Sequence, residues 1–259
     1  MQSNETAGPL ISVITPAYNS QQFIHETIES VQNQTYTNWE MIIVDDCSTD
    51  KTTEIVASYQ KEDARITLIK LKENAGSGVA RNTAIEAAKG RFIAFLDSDD
   101  VWLETKLEKQ LDFMLEKDIA FSFTEYVRML EDGTEVNSVI KAPETIDYVG
   151  LMKHCVIGCL TVMLDTKKTG KVKMIHIRSR QDYVLWLTLT KNGFTAYGLP
   201  EVLSKYRLVQ NSISSNKLKM VKQNWRVYRT VEEQSAIKSA WYILNYAFHY
   251  IKRRFNRRK

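Results

Sequence analysis

Four short apolar runs, each followed by a helical pattern, fill the first hundred residues and limit the folds open to this chain. The runs are 10–15 (LISVIT), 39–46 (WEMIIVDD), 65–70 (RITLIK) and 91–97 (RFIAFLD). Between them, Phe23, Ile24, Ile28 and Val31 mark one helical face, with Ser20 as the expected N-cap, and 50–60 and 77–89 read as two further helices. Strands apolar on both faces and separated by helices imply a mostly parallel sheet covered on both sides. Ligands on such sheets bind outside the carboxyl ends of the strands.

After a helix over 103–118 the pattern loosens. Strand patterns over 120–130 and 134–140 flank Glu131-Asp132-Gly133, a hairpin signal. A short helix near 147–154, a strand over 159–165, a helix over 181–192 closed by Gly193 and a strand over 202–207 follow, before a long helical tail. No repeat or low-complexity linker interrupts this order, so a second half is expected to build onto one continuous sheet.

Composition narrows the setting. With 44% hydrophobic and 25% charged residues the chain reads as an ordinary globular protein. The polar start MQSNETAGPL argues against a cleaved secretory signal, and no apolar run approaches the roughly 20 residues that span a bilayer. Three cysteines are too few for a disulfide scaffold and fit a reducing cytoplasm; Cys155 and Cys159 lack a second metal-spaced pair and read as core thiols. The net charge of +4 is concentrated in the last eight residues, KRRFNRRK, which carry six basic side chains. The remainder is slightly acidic, which argues against a nucleic-acid partner.

Polar residues then fall in a telling place. The first strand runs into TPAYNS, the second into Asp45-Asp46, the third leads to ENAGSG, and the fourth ends in Asp97-Ser98-Asp99-Asp100. All four clusters lie at carboxyl ends of strands, so the fold gathers them on one edge. Asp-x-Asp in such a place can present oxygens to Mg²⁺ or Mn²⁺ bridged to a diphosphate. The alternative is a solvated acidic turn capping the next helix. Tyr18 can stack on a base or simply pack, and Asp46 can accept a base N–H. The small residues around Gly76 allow close backbone approach and lead into a helix N-terminus suited to anions. Arg81 is a base or phosphate contact, or else the ion-pair partner of a carboxylate. Asp182 opens a buried helix, either as its N-cap or as a general base. Neither a Rossmann glycine fingerprint after the first strand nor a P-loop is present.

The stretches VITPAYNSQQFIHETIESVQNQTYTNWEMIIVDDCSTDKT, NAGSGVARNTAI, GRFIAFLDSDDVW and RQDYVLWL…YRLVQNSIS, in this order, resemble family 2 glycosyltransferases. They are most similar to bacterial enzymes of surface-polysaccharide assembly, of the teichuronic-acid and capsule type. The resemblance reaches about residue 215. It implies the GT-A fold, a Rossmann-like, mostly parallel sheet flanked by helices, with a C-terminal helical extension. The implied division is a glycosyltransferase domain over 1–215, its nucleotide-binding half 1–100 and acceptor half 101–215, and a basic-aromatic extension over 216–259. It further implies a nucleotide-sugar donor, usually UDP-linked, inversion at the anomeric carbon, Mn²⁺ or Mg²⁺, and a glycan or polyprenyl-linked acceptor.

Carried over by motif, Pro16, Tyr18, Asn19, Asp46, Gly76, Arg81, Asp97 and Ser98 belong to the nucleotide site, with Asp46 on the uracil. Asp99 is nearest the metal, Asp97 nearest the ribose, and Asp182 matches the base. Three positions depart from the family pattern: Cys47 replaces a common Gly, Gln181 a common Glu, and YRLVQNS lacks a common His. Two other classes stay open, a nucleotidylyltransferase and a catalytically silent nucleotide-sugar-binding module. At the C-terminus, Ile237, Trp241, Leu244, Phe248, Ile251 and Phe255 draw one apolar stripe down a helix. It either packs on the domain or, with the basic end, meets the inner face of the plasma membrane as a peripheral contact of a cytoplasmic protein.

Overall fold

The computed structural model describes residues 8–209 and 217–256. Strands β1 (Ile11–Ala17), β2 (Trp39–Asp45), β3 (Ile66–Lys70) and β4 (Phe92–Phe95) alternate with helices α1 (Ile24–Gln32), α2 (Thr52–Glu62) and α3 (Ser77–Ala87). There follow β5 (Val101–Trp102), α4 (Lys106–Glu116), the hairpin β6 (Phe121–Met129) and β7 (Glu135–Ile140), β8 (Thr145–Ile146) and α5 (Tyr148–Lys153). The chain continues through β9 (Met163–Asp165), α6 (Thr166–Thr169), α7 (Gln181–Lys191), β10 (Ala196–Arg207), α8 (Lys217–Arg226) and α9 (Ala236–Asn256).

The ten strands of the described residues form one sheet, ordered β3-β2-β1-β4-β9-β6-β10-β5, with β7 beside β6 and β8 beside β10. The first four strands are parallel, as their doubly apolar composition implies. In the second half β10 runs parallel to β6, while β9 is antiparallel to both β4 and β6 and joins the halves. Alternation along each strand divides the core. Ile11 and Val13 of β1 face α1 and α4, with Ile24, Ile28, Leu107 and Leu111. Ile14 faces α3 and α7, with Ala80, Ala84, Val184 and Trp186. Trp186 is fully buried, its indole 5.5 Å from the Phe95 ring in an edge-on contact.

Several elements differ from their sequence pattern, each for a physical reason. The strand expected over 159–165 begins as a 3-10 turn, Cys159–Thr161. There, side chains replace a neighbouring strand: Trp102 Nε1 donates to the Leu160 carbonyl and Gln110 Nε2 to that of Thr161. The strand expected over 202–207 starts at Ala196, because shifts in its pairing with β6 between Leu199 and Ser204 carry the chain past Pro200. β5, β8 and α6 are too short to show a period. The single tail helix is two helices, separated by a π turn at Val227–Val231 and by Glu233 with φ +51°. Ser20 is not the cap of α1, whose N-cap position is Phe23. The expected boundary at 215/216 lies outside the described residues.

One core residue generates a prediction. Lys106 is fully buried at the start of α4, its ammonium 3.8 Å from the centroid of the Trp102 ring and without a hydrogen-bond partner. Burial pushes its pKa well down. Below about pH 10.4 the unfolded chain then binds a proton that the folded chain gives up, and this cost shrinks as pH rises to that value. Lys106→Met should therefore raise the melting temperature, by more at pH 7 than at pH 10. Thermal unfolding of both proteins across that range checks it; a stabilisation independent of pH would refute the buried-charge account.

Candidate active site

The strand order reverses at β1, which has β2 on one side and β4 on the other. β1 pairs with β2 from Ile11↔Trp39 to Ala17↔Asp45, but with β4 only from Ile11↔Phe92 to Ile14↔Phe95. Beyond Ile14 the two strands part and a crevice opens at the topological switch point. Pro16 lies in this stretch, buried in the strand. Backbone N–H groups alternate sides along a strand, so residue 16 faces the departed β4. A residue without an N–H leaves no unpaired donor there.

The loops around the crevice brace one another. Tyr18 is exposed at the rim. Asn19 adopts φ +48°, and its side-chain oxygen accepts from Thr49 N at 2.9 Å while its own N–H donates to Ser48 Oγ. Asp46 is buried, and its two oxygens accept from Ala75 N at 2.7 Å and Gly76 N at 2.8 Å. Asp46 thus ties the end of β2 to the loop leading into α3. Gly76 has φ +91°, and a Cβ there would meet nothing within 4 Å, so conformation rather than crowding calls for glycine. Cys47 also lies in the left-handed region, at φ +66°, which explains why glycine suits that position.

Across the crevice the acidic loop is held by two arginines distant in sequence. Arg81, on α3 and buried, donates to Asp97 Oδ1 at 2.5 Å. Arg207, at the end of β10 and also buried, donates from Nε to the Asp99 carbonyl at 2.8 Å, while its backbone N–H donates to Asp100 Oδ1 at 2.8 Å. Its guanidinium continues to the Glu131 carbonyl and to Glu26 of α1. Ser98 Oγ lies 2.7 Å from Ser20 Oγ, so the residue expected to cap α1 joins the loop instead. Asp99 keeps its carboxylate partly open, and burial, then the nearby Asp97, push its pKa up to about 6. Asp100 is pushed well up by burial and by Asp99 and Asp97. Among the described residues, no three acidic, His or Cys side chains converge closely enough to hold a metal unaided.

Asp182 comes to the same place from α7. The N-cap position of that helix is Arg180, in the left-handed region at φ +69°, so Asp182 sits inside the first turn and is not the cap. Its charge bears on Arg81, on Arg180 and on the buried Cys159, which also feels Asp97 and Asp100. These groups therefore surround one small volume. Gln181 anchors the turn by donating to Ser77 Oγ at 3.3 Å, and packs so closely on Gly78 that a Cβ there would lie 2.9 Å from it.

The structure thus gathers Asp97, Ser98, Asp99, Arg81 and Asp182, and sets Asp46, Asn19 and Gly76 in the bracing loops. Sequence reasoning missed Ser20, Cys159, Arg180 and Arg207. None of these left a signal of its site role in the sequence; Arg207 follows Lys205 in a mixed strand and reads as a surface cation.

A mostly parallel half-sheet with a crevice at its switch point, continued by a mixed half, is the architecture of a glycosyltransferase of the GT-A type. The family model for glycosyl transferase family 2 matches residues 12–165, and the chain belongs to that family. It is 53% identical to the putative teichuronic acid biosynthesis glycosyltransferase TuaG of Bacillus subtilis, over 95% of this chain and 98% of that protein. It is 41% identical to the Escherichia coli UDP-Glc:alpha-D-GlcNAc-diphosphoundecaprenol beta-1,3-glucosyltransferase WfgD, over 94% of each. Solved structures share the fold: Staphylococcus aureus TarS in complex with UDP superposes with a TM-score of 0.67 at 21% identity, covering 90% of this chain and 68% of that one. The Pyrobaculum calidifontis mannosyltransferase PcManGT, in complex with GDP-Man and Mn²⁺, also gives 0.67, at 17% identity over 88% and 65% of the chains. The protein is a glycosyltransferase of cell-surface polysaccharide biosynthesis, and the nucleotidylyltransferase and silent-module readings give way to it.

Proposed function

We propose that this glycosyltransferase moves a hexosyl or N-acetylhexosaminyl group from a UDP-sugar to a hydroxyl of a polyprenyl-linked glycan, with inversion and with a divalent cation. The observation that carries this reading is the meeting of Asp97 and Asp99 with Asp182 around Arg81, in the crevice between β1 and β4. The donor and acceptor classes follow the name of the WfgD relative, a UDP-Glc enzyme acting on a diphosphoundecaprenol-linked sugar.

Asp46, with Pro16 and Tyr18, lines the nucleoside side, and each Asp46 oxygen has a lone pair left beyond its loop bond. The bracing of Asn19, Gly76 and Ser98 keeps that side open. Asp99, with Asp97 behind it, suits Mn²⁺ or Mg²⁺: burial and a like charge hold its pKa up to about 6, which an adjacent cation would reverse. Asp99 and Asp97 would hold such a cation jointly with the donor's diphosphate. When bound, the cation supplies Lewis-acid stabilisation to the leaving diphosphate. On the opposite side Asp182 accepts the proton of the attacking acceptor hydroxyl at its carboxylate. Attack from the face opposite departure inverts the anomeric carbon.

The acceptor's lipid would bring the enzyme to the membrane. Among the described residues no helix is long and apolar enough to cross one. The α9 stripe, however, is turned outward: Ile237 is 84% exposed, Trp241 47%, Leu244 68% and Phe248 62%. The domain is met by the other face, through Tyr242, Ile243 and Tyr246, with Tyr242 5.5 Å from Tyr228. The side chains of Ile251, Phe255 and the basic end lie outside the described residues. An exposed apolar stripe running into six basic residues suits an anionic inner leaflet, at about 1 kcal/mol per basic group near the surface.

Three outcomes test these assignments. Calorimetric titration with UDP should show tighter binding with Mn²⁺ than with EDTA, and Asp99→Ala should erase the difference; equal affinity of both proteins with Mn²⁺ present would sink the metal assignment. Asp182→Asn should lower kcat by about 10²–10⁴-fold and leave UDP affinity unchanged, since Asn keeps the shape but cannot take the proton. Wild-type turnover in that variant would require another base. Full-length protein should co-sediment with anionic liposomes at low salt, and the combined Ile237→Ser, Trp241→Ser and Leu244→Ser variant should not. Equal sedimentation of the two, or none by either, would exclude α9 as the contact.

A further inference from the structure

Between Asp165 and Asp182 the chain carries Lys167, Lys168, Lys171, Lys173, His176, Arg178 and Arg180 and not one acidic residue. Lys168 is engaged with Asp118 on the far edge. The rest of the run is fixed beside the active site. Val172 and Met174 are buried, while Lys171, Lys173, His176 and Arg178 point to solvent. Asn82, the residue after Arg81, holds Met174 reciprocally, donating from Nδ2 to its carbonyl and accepting from its N–H, both at 2.8 Å. The strip therefore starts against α3 and ends at Arg180, two residues before Asp182. Among the described residues, Lys171, Lys173 and Arg178 have no acidic partner.

Arg180 is the unusual member. Its backbone adopts φ +69°, a conformation costing a non-glycine residue of order 1–3 kcal/mol. Its guanidinium lies near enough to Tyr246 of α9 for that hydroxyl to bear on it electrostatically and sits 5.6 Å from the centroid of the Tyr183 ring, yet Nε and Nη2 are buried with no acceptor. A cationic fork left with unmet donors next to a cluster of unpaired cations is matched by a ligand with several anionic oxygens. In the proposed function the donor's diphosphate is met through the cation at Asp99, which leaves Arg180 for a second anion. The strip instead lies on the Asp182 side, and Tyr246 joins it to the helix whose opposite face carries Trp241 and Leu244. Lys153 extends the positive charge toward that face, its ammonium 5.3 Å from the centroid of the Trp241 ring.

We propose that Lys171, Lys173, Arg178 and Arg180 form a second phosphate site, which holds the diphosphate of the lipid-linked acceptor and so sets its first sugar over Asp182. This rests on the lipid-linked acceptor of the proposed function and adds the residues that recognise it. The bidentate fork is the specific contact, and the exposed lysines and Arg178 attract the anion over a longer range.

Geranyl diphosphate is a soluble probe, titrated into full-length protein with saturating UDP and Mn²⁺ so that the donor site is filled. Arg180→Asn removes the fork while tolerating positive φ. It should weaken binding about 10- to 100-fold, the worth of one or two charge-assisted hydrogen bonds, and leave UDP affinity unchanged. Arg180→Lys should fall between. Combined Lys171→Gln, Lys173→Gln and Arg178→Gln, all at exposed positions, should weaken binding less and flatten its salt dependence; this variant decides the matter should Arg180→Asn fail to fold. Inorganic diphosphate should compete with the probe, which identifies the phosphates as the ligand, whereas preference for phosphatidylglycerol vesicles over the probe would assign the strip to lipid headgroups and overturn the acceptor site. Equal probe affinity in wild type and the variants, or no binding once UDP is present, would also overturn it. Failure of UDP to bind would count against the donor assignment alone, since the same titration without UDP still reads the strip.

Discussion

Everything at this site depends on how three carboxylates, Asp97, Asp99 and Asp100, are kept within four consecutive residues. Left alone, such a cluster repels itself, and burying its members unpaired costs several kcal/mol or more. Two buried arginines answer the problem from outside the loop. Arg81 takes the Asp97 carboxylate, while Arg207 takes the Asp99 carbonyl and, through its backbone N–H, Asp100. Asp99 is the member whose carboxylate neither arginine takes; burial and the shared negative charge raise the pKa of both Asp99 and Asp100. The loop is held at both ends, while the Asp99 carboxylate between them keeps no arginine partner.

This division also binds the two halves of the sheet. Arg81 arrives on α3 from the parallel half and Arg207 from the last strand of the mixed half, so the acidic loop is the place where both meet. The clamp reaches α1 through Glu26, and Thr27 adds a hydrogen bond to the Asp100 carbonyl at 2.9 Å. Three elements distant in sequence, α1, α3 and β10, are thus tied to one turn. The parting of β1 from β4 after Ile14 leaves room above that turn, and Pro16 lets the parted strand end without an unpaired donor.

What was legible in the sequence follows the range of the interactions involved. Strand positions and the edge that collects the polar clusters could be read, because doubly apolar runs and loop residues are local signals. Asp97 and Asp99 stood out because no cation lies among the acids ending that strand, and Asp182 because it opens a largely apolar helix. Of the partners of those acids, Arg81 was offered as an ion-pair residue and does take Asp97, but Arg207 was not legible. Arg207 is 108 positions from Asp99 and its side chain is indistinguishable in sequence from a surface cation. Ser20 read as a helix cap, since a serine before an apolar period usually is one, and only the fold reveals that Ser98 lies opposite. Asp182 read equally as cap or base; the left-handed backbone of Arg180 removes the first option, and no propensity argument predicts that.

The same backbone at Arg180 links the two functions assigned to the C-terminal half. A residue in the left-handed region needs surroundings that hold it there. Tyr246 supplies part of that support from α9, with Tyr183 of α7 on the ring side. α9 therefore faces two ways: Tyr242, Ile243 and Tyr246 fasten it to the domain, and Ile237, Trp241 and Leu244 are left to whatever surface the protein meets. A helix of 21 residues spans about 30 Å. A surface that held its outer face would thereby hold Tyr246, and through Arg180 the first turn of α7 on which Asp182 sits. In the proposed reaction, anchoring the enzyme and orienting its base are then one mechanical event, and an acceptor lying in that surface would meet Asp182 at a fixed height.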